Sequence, residues 1–130
     1  MTLAFDTSVI IDIERRDKKV LERLKELSEI HPAPASIAFI TYFEFIHGLH
    51  IKSPKNREKS LAFIEIFHFL EPTKKTAVIL SDLKYKYDKL GKSFSLSDLL
   101  IASQVIENNM TLVTRDRHFQ EIDELKKITL

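Results

Sequence analysis

The sequence predicts an α/β fold: a three-layer α/β/α domain around a central, mainly parallel sheet of four or five strands. Three observations predict it. Short apolar runs recur along the chain, separated by longer stretches whose apolar residues fall at helical spacing. Strands alternating with helices imply parallel pairing through right-handed crossovers. Glycine (2) and proline (4) are scarce among 130 residues while Leu, Ile, Val and Phe are plentiful, which excludes a disordered chain and supplies one apolar core. No internal repeat, linker or low-complexity tract appears, so residues 1–130 read as a single domain.

Residues 2–5 are short and apolar and read as a buried strand. Asp6-Thr7-Ser8 then opens a helix carrying Val9, Ile10 and Ile13. Residues 17–30 are strongly charged, but Val20, Leu21, Leu24, Leu27 and Ile30 recur at helical spacing and give an amphipathic helix. His31-Pro32-Ala33-Pro34 breaks it. Residues 36–40, apolar between breakers, read as a second strand, and 41–51 as a helix weakened by Gly48. Ser53-Pro54 is a helix start, with Ser as N-cap and Pro at the first helical position. That helix carries Leu61 and Ile64, and 67–70 extend it or form a short strand ending at Pro72. Residues 73–90 form a long helix with Ala77, Leu80, Leu83, Tyr87 and Leu90 on one side. A loop over 91–96 leads to a helix over 97–108, with Ser97 as its N-cap. Asn108-Asn109 turns the chain into a strand over 111–114. A short helix starts at Asp116, and 127–130 can add a last strand.

A formal net charge of +1 says little about partners, because a local patch rather than the total decides nucleic-acid binding. The absence of cysteine excludes disulfides and thiolate metal sites. No basic stretch followed by a long apolar run opens the chain, and no apolar run approaches membrane-span length. The expectation is a soluble, cytoplasmic protein with no membrane partner.

Acidic residues are common, so position has to separate them. Asp6 directly follows the first strand, and Asp116 lies two residues past the strand ending near Thr114. Glu44 is placed in the first turn of the helix after the second strand. Asp98 starts another helix. In open parallel sheets the strand ends face one crevice, where ligands bind. Four carboxylates converging there repel one another unless they are protonated or share a cation. Oxygen ligands without Cys select a hard ion, Mg²⁺ or Mn²⁺, and the chemistry that follows is metal-assisted water attack on a phosphodiester. Each acid also has a purely structural reading. Asp6 and Asp116 can cap the helices after them, Thr41 and Glu44 form a T-x-x-E capping box, and Asp98 suits a helix N-terminus.

Four motifs in order carry a resemblance. Phe5-Asp6-Thr7-Ser8-Val9-Ile10-Ile11 resembles the opening of PIN domains. Thr41-Tyr42-Phe43-Glu44-Phe45-Ile46-His47-Gly48-Leu49 is similar to their second motif, and Ser97-Asp98-Leu99-Leu100-Ile101-Ala102-Ser103 to their third. Leu112-Val113-Thr114-Arg115-Asp116-Arg117-His118-Phe119 resembles the fourth. Order and spacing agree over essentially the whole chain, whose size resembles that of VapC-type toxins of toxin–antitoxin pairs. The resemblance implies a PIN-like fold and Mg²⁺- or Mn²⁺-dependent endoribonuclease activity, cutting single-stranded RNA to leave 5′-phosphate and 3′-hydroxyl ends. It also implies a homodimer inhibited by a small antitoxin. Asp6, Glu44, Asp98 and Asp116 would then be metal ligands or orienters of the attacking water, with Ser8 and Thr114 as supporting hydroxyls. Two departures stand out. Lys92, Ser93 and Ser95 precede Asp98 where relatives often carry further acids, which leaves the number of metal ions open. His118 stands where many relatives have Asp before Phe.

Arg115, Arg117 and His118 flank Asp116 and are the expected phosphate contacts. Glu44, His47 and His50 do not complete a di-iron set, since a second Glu-x-x-His pair is missing. The run Lys84, Lys86, Lys89 with Tyr85 and Tyr87 reads as a charged helix face. Two other functions fit the same residues: an RNA-processing nuclease, and a PIN-fold scaffold that binds RNA or protein with weak activity.

Overall fold

The computed structural model describes residues 2–130, and strands and helices alternate along it. The strands are β1 (Leu3–Phe5), β2 (Ser36–Ala38), β3 (His68–Leu70), β4 (Thr111–Thr114) and β5 (Lys127–Thr129). The α-helices are α1 (Thr7–Glu14), α2 (Lys18–Ile30), α3 (Phe39–Gly48), α4 (Pro54–Ile64), α5 (Lys74–Lys89) and α6 (Leu96–Glu107), with 3-10 turns at Leu49–Ile51 and Arg117–Glu121. The sheet has five strands in the order β3-β2-β1-β4-β5, and every pairing is parallel.

The three layers follow from the alternation of side chains along each strand. Leu3, Phe5, Ile37 and Val113 face one way and pack with Val9 and Ile10 of α1, Val20 and Leu27 of α2, Phe45 of α3 and Ile64 of α4. Ala4, Ala38 and Leu112 face the other way and pack with Leu83 and Tyr87 of α5 and Leu99, Ile101, Ala102 and Val105 of α6. The small Ala4 and Ala38 let α6 approach the sheet closely.

From β1 the chain winds outward through β2 to β3, then returns to place β4 on the opposite flank of β1. That reversal leaves a crevice beyond the carboxyl ends of β1 and β4, the position open parallel sheets use for ligands.

Two helix starts differ from the sequence expectation. The second strand stops at Ala38 and α3 begins at Phe39, so Thr41 is inside the helix and is not its N-cap. The T-x-x-E capping box is therefore absent, and Glu44 sits in the second turn of α3. No neighbouring side chain caps α3; the Phe39 N–H donates instead to Gln104 Oε1 at 2.7 Å, from α6. The other end of the same amide donates from Nε2 to the Leu70 carbonyl at 2.8 Å. At the start of α6 the N-cap is Ser95, not Ser97, and its Oγ accepts from the Asp98 N–H at 3.1 Å.

Gln104 is fully buried, and both ends of its amide serve backbone groups at the carboxyl ends of β2 and β3. Gln104→Leu keeps the volume but strands those two partners. Urea unfolding should show a loss of about 3 kcal/mol, the scale of leaving buried polar groups unmet.

Candidate active site

Asp6 is the N-cap of α1 and is 3% exposed. Its Oδ1 accepts from the Ser8 hydroxyl at 2.7 Å and the Val9 N–H at 3.1 Å, and its Oδ2 accepts from the Thr114 hydroxyl. A carboxylate has four acceptor positions, so one lone pair remains, on Oδ2. The capping role expected of Asp6 is therefore real, and it still leaves one oxygen free to bind a ligand. Ser8 and Thr114, the two supporting hydroxyls of the sequence reading, both touch Asp6.

Thr114 also receives the Asp116 N–H, at 2.9 Å, so a single hydroxyl joins the two acids. Asp116 in turn caps the following 3-10 turn through the His118 N–H at 2.9 Å, and its side chain stays exposed. Asp98 projects from the first turn of α6 and is partly buried. Asp6 and Asp98 both hold their protons more tightly than an ordinary carboxyl. Burial is the main cause in each, the charge of Asp116 adds to it, and the hydroxyl of Thr114 or Ser95 opposes it. Asp116 is thus the charge that both other aspartates feel.

Glu44 is held differently. It is exposed on α3, and its Oε1 accepts from the Thr7 hydroxyl at 2.7 Å, beside the buried Thr41 Oγ1, which lies 3.3 Å from Thr7 Oγ1. Thr7 follows Asp6 directly, so one turn of chain fixes both acids. Among the described residues no three His, Asp or Glu side chains converge into a complete metal shell. The donor chemistry nevertheless fits a hard divalent ion. Mg²⁺ keeps several waters and needs only one or two carboxylates together with a substrate phosphate.

Of the three expected phosphate contacts, Arg115 is the best fixed. Its Nη1 donates to Asp12 Oδ2 at 2.7 Å, and with Ser8, Ile11, Asp12 and Asp116 it lines a depression of about 400 Å³. His118 stacks on Phe94 with ring centroids 4.4 Å apart and faces Glu121. Arg117 is exposed. Sequence reasoning missed Thr7, Thr41 and Asp12. Thr41 was visible in its motif, but as a cap, whereas the pairing of Asp12 with Arg115 spans 103 positions and leaves no local signal.

The sequence profile of the PIN domain family matches residues 3–125. The chain belongs to the PIN domain family. Members of this family are nucleases. No curated protein matches the sequence. Among solved structures, the chain is similar to one in VapBC2 from Rickettsia felis bound to a fragment of promoter DNA, at 24% identity and TM-score 0.83, covering 100% of this chain and 99% of that one. A chain of VapBC-1 from nontypeable Haemophilus influenzae shares 27% identity at TM-score 0.79, covering 99% and 98%. One in DNA-bound VapBC from Salmonella typhimurium shares 21% at TM-score 0.80, covering 99% and 98%. Among the described residues of this PIN domain, no helix is long and apolar enough to cross a membrane.

The raised Asp98 has a measurable consequence. Its contribution to stability is fully present below the ordinary value of 3.8 and is lost as pH rises through the higher folded value. In EDTA at pH 7, Asp98→Asn should therefore melt above wild type. The gap should close as pH falls toward 3.8, where the wild-type carboxyl is protonated as well.

Proposed function

We propose that this PIN domain is a metal-dependent endoribonuclease that hydrolyses single-stranded RNA in the cytoplasm, as the toxin of a toxin–antitoxin pair. The observation that carries the reading is that, at the crevice between β1 and β4, the Thr114 hydroxyl joins Asp6 to the Asp116 N–H, while Asp98 lies near enough to Asp116 to feel its charge. Asp6, Asp98 and Asp116 would hold a Mg²⁺ or Mn²⁺ ion, Asp6 through its one free lone pair. Glu44, restrained by Thr7, would orient water from the α3 side. When bound, such an ion supplies Lewis acidity toward a phosphoryl oxygen and makes a bound water more acidic.

The chain's own groups do the rest. The fixed carboxylates accept the proton of the attacking water, and Arg115, held by Asp12, offers its remaining N–H groups to a phosphate oxygen. Arg117 and His118 lie on the same stretch for neighbouring phosphates. Water oxygen bonds to phosphorus as the bond to the 3′ oxygen breaks, and that oxygen takes a proton from solvent, leaving a 5′-phosphate and a 3′-hydroxyl. Likeness to a chain of VapBC-1 at 27% identity over 99% of the length supports a small antitoxin as partner. A second copy of the chain is proposed as well, because Phe39 and Phe43 of α3 and Val78 of α5 leave large apolar surfaces exposed.

Cleavage of single-stranded RNA with Mg²⁺ or Mn²⁺, beside circular dichroism, tests this. Asp98→Asn should lower kcat at least about a hundredfold with the fold intact, and Asp6→Asn should do the same. The two losses should not add, since both act through one ion. Glu44→Gln keeps an oxygen for Thr7, so its loss of activity reads the charge alone. A folded Asp98→Asn variant that cuts at the wild-type rate contradicts the site. A wild type inert with both metals favours the scaffold.

A further inference from the structure

Beyond the acids, a larger depression of about 650 Å³ lies between the carboxyl end of α1, the end of α3 and α4. Ile11 is a wall of this depression and also of the smaller one at Asp116, so the two follow one another along α1. Glu44 lines it as well, which ties it to the candidate site. Its charge has a pattern. Glu14 is neutralised by Lys52, whose ammonium donates to Glu14 Oε1 at 2.7 Å and to Ser60 Oγ at 2.9 Å. Arg15, Arg16 and Lys59 are exposed on the same lining, and no carboxylate of the described residues pairs with them. Ile51, 92% exposed, adds an apolar side chain to the lining.

A second observation concerns Arg16. The chain leaves α1 through a Schellman turn: the Asp17 N–H donates to the Asp12 carbonyl and the Arg16 N–H to the Ile13 carbonyl, each at 3.0 Å. The turn puts Arg16 at φ 58°, a left-handed conformation in which glycine is the usual and least strained residue. Arginine is disfavoured at that position, and among the described residues its side chain makes no compensating hydrogen bond. Strain of this kind, where the side chain lines a groove, points to use of the charge.

We propose that this groove holds the strand beside the scissile bond, with Arg15, Arg16 and Lys59 neutralising successive phosphates of single-stranded RNA and Ile51 underlying a base or ribose. The inference rests on the nuclease reading and adds the subsite through which the substrate is gripped. A linear polyanion fits three unpaired cations spread over the lining, on a groove that runs from the acids along a helix about 12 Å long.

The test is fluorescence anisotropy with a labelled single-stranded RNA of about a dozen nucleotides, in Mg²⁺ and in an Asp98→Asn background that prevents cutting. Each phosphate contact contributes about 0.7 to the slope of log affinity against log salt, so Arg15→Gln, Arg16→Gly and Lys59→Gln together should flatten it by about 2. Arg16→Gly alone should weaken binding about fivefold at 0.1 M salt. It should at the same time raise the melting temperature by about 2–4 °C, because the strain is relieved. A merely structural arginine cannot give those opposite signs, and a fall in both stability and binding overturns the role of Arg16. An unchanged slope in the triple variant overturns the groove, even where wild type cuts RNA and the nuclease reading stands. Loss of binding to a poly-glutamate peptide with RNA binding intact assigns the groove to an acidic protein segment and also overturns it. The predicted slope loss in the triple variant, beside a wild type that cuts nothing, leaves the groove standing and removes hydrolysis.

Discussion

The Thr114 hydroxyl is the constraint on which the acidic edge depends. Thr114 ends β4, is fully buried, and sits across from the carboxyl end of β1. Because its oxygen receives the Asp116 N–H, its proton is directed at Asp6. One side chain therefore ties together two like charges that follow different strands. Ser8 and the Val9 N–H complete the hold on Asp6, and these same bonds start α1. Capping and site geometry are one set of hydrogen bonds, so α1 cannot fray without releasing Asp6.

Seen along α1, the two ends of the helix have opposite characters. The amino end holds Asp6 and faces Asp116, and the carboxyl end presents Arg15 and Arg16. Asp12, in the last turn, fixes Arg115 beside the acids. The site then has a fixed order of charge: acids that attract a cation, one anchored guanidinium, and a free cationic rim. Under the proposed function, that order would suit a phosphodiester chain approaching a metal ion held by the acids.

Much of the fold was legible because strand and helix alternate cleanly: β1 and β4 lie where the apolar runs place them, β2 is shorter than its run, and β3, left open between helix and strand in the sequence, is a strand. Asp6 and Asp116 were legible for the same reason, since each follows the end of a strand. What escaped was non-local. The start of α3 is set by Gln104, 65 positions away, so the helix begins before the local signal of Thr41. With that start moved, the capping-box reading of Glu44 lost its basis, and Thr7 appeared as its real partner. The N-cap of α6 was expected at Ser97 and is Ser95. Ser95 lies three residues before Asp98, the spacing at which an N-cap oxygen reaches a backbone N–H, and that local sign was available.

The claim at the centre of this account is that Asp6, Asp98 and Asp116 form one electrostatic unit with Asp116 as the shared charge. Carbon-13 NMR titration of the aspartate carboxyls in wild type and Asp116→Asn tests it directly, since asparagine keeps the oxygen that accepts from His118. The account predicts that Asp6 and Asp98 both titrate closer to 3.8 in the variant than in wild type. Titration of both carboxyls at their wild-type positions would contradict it.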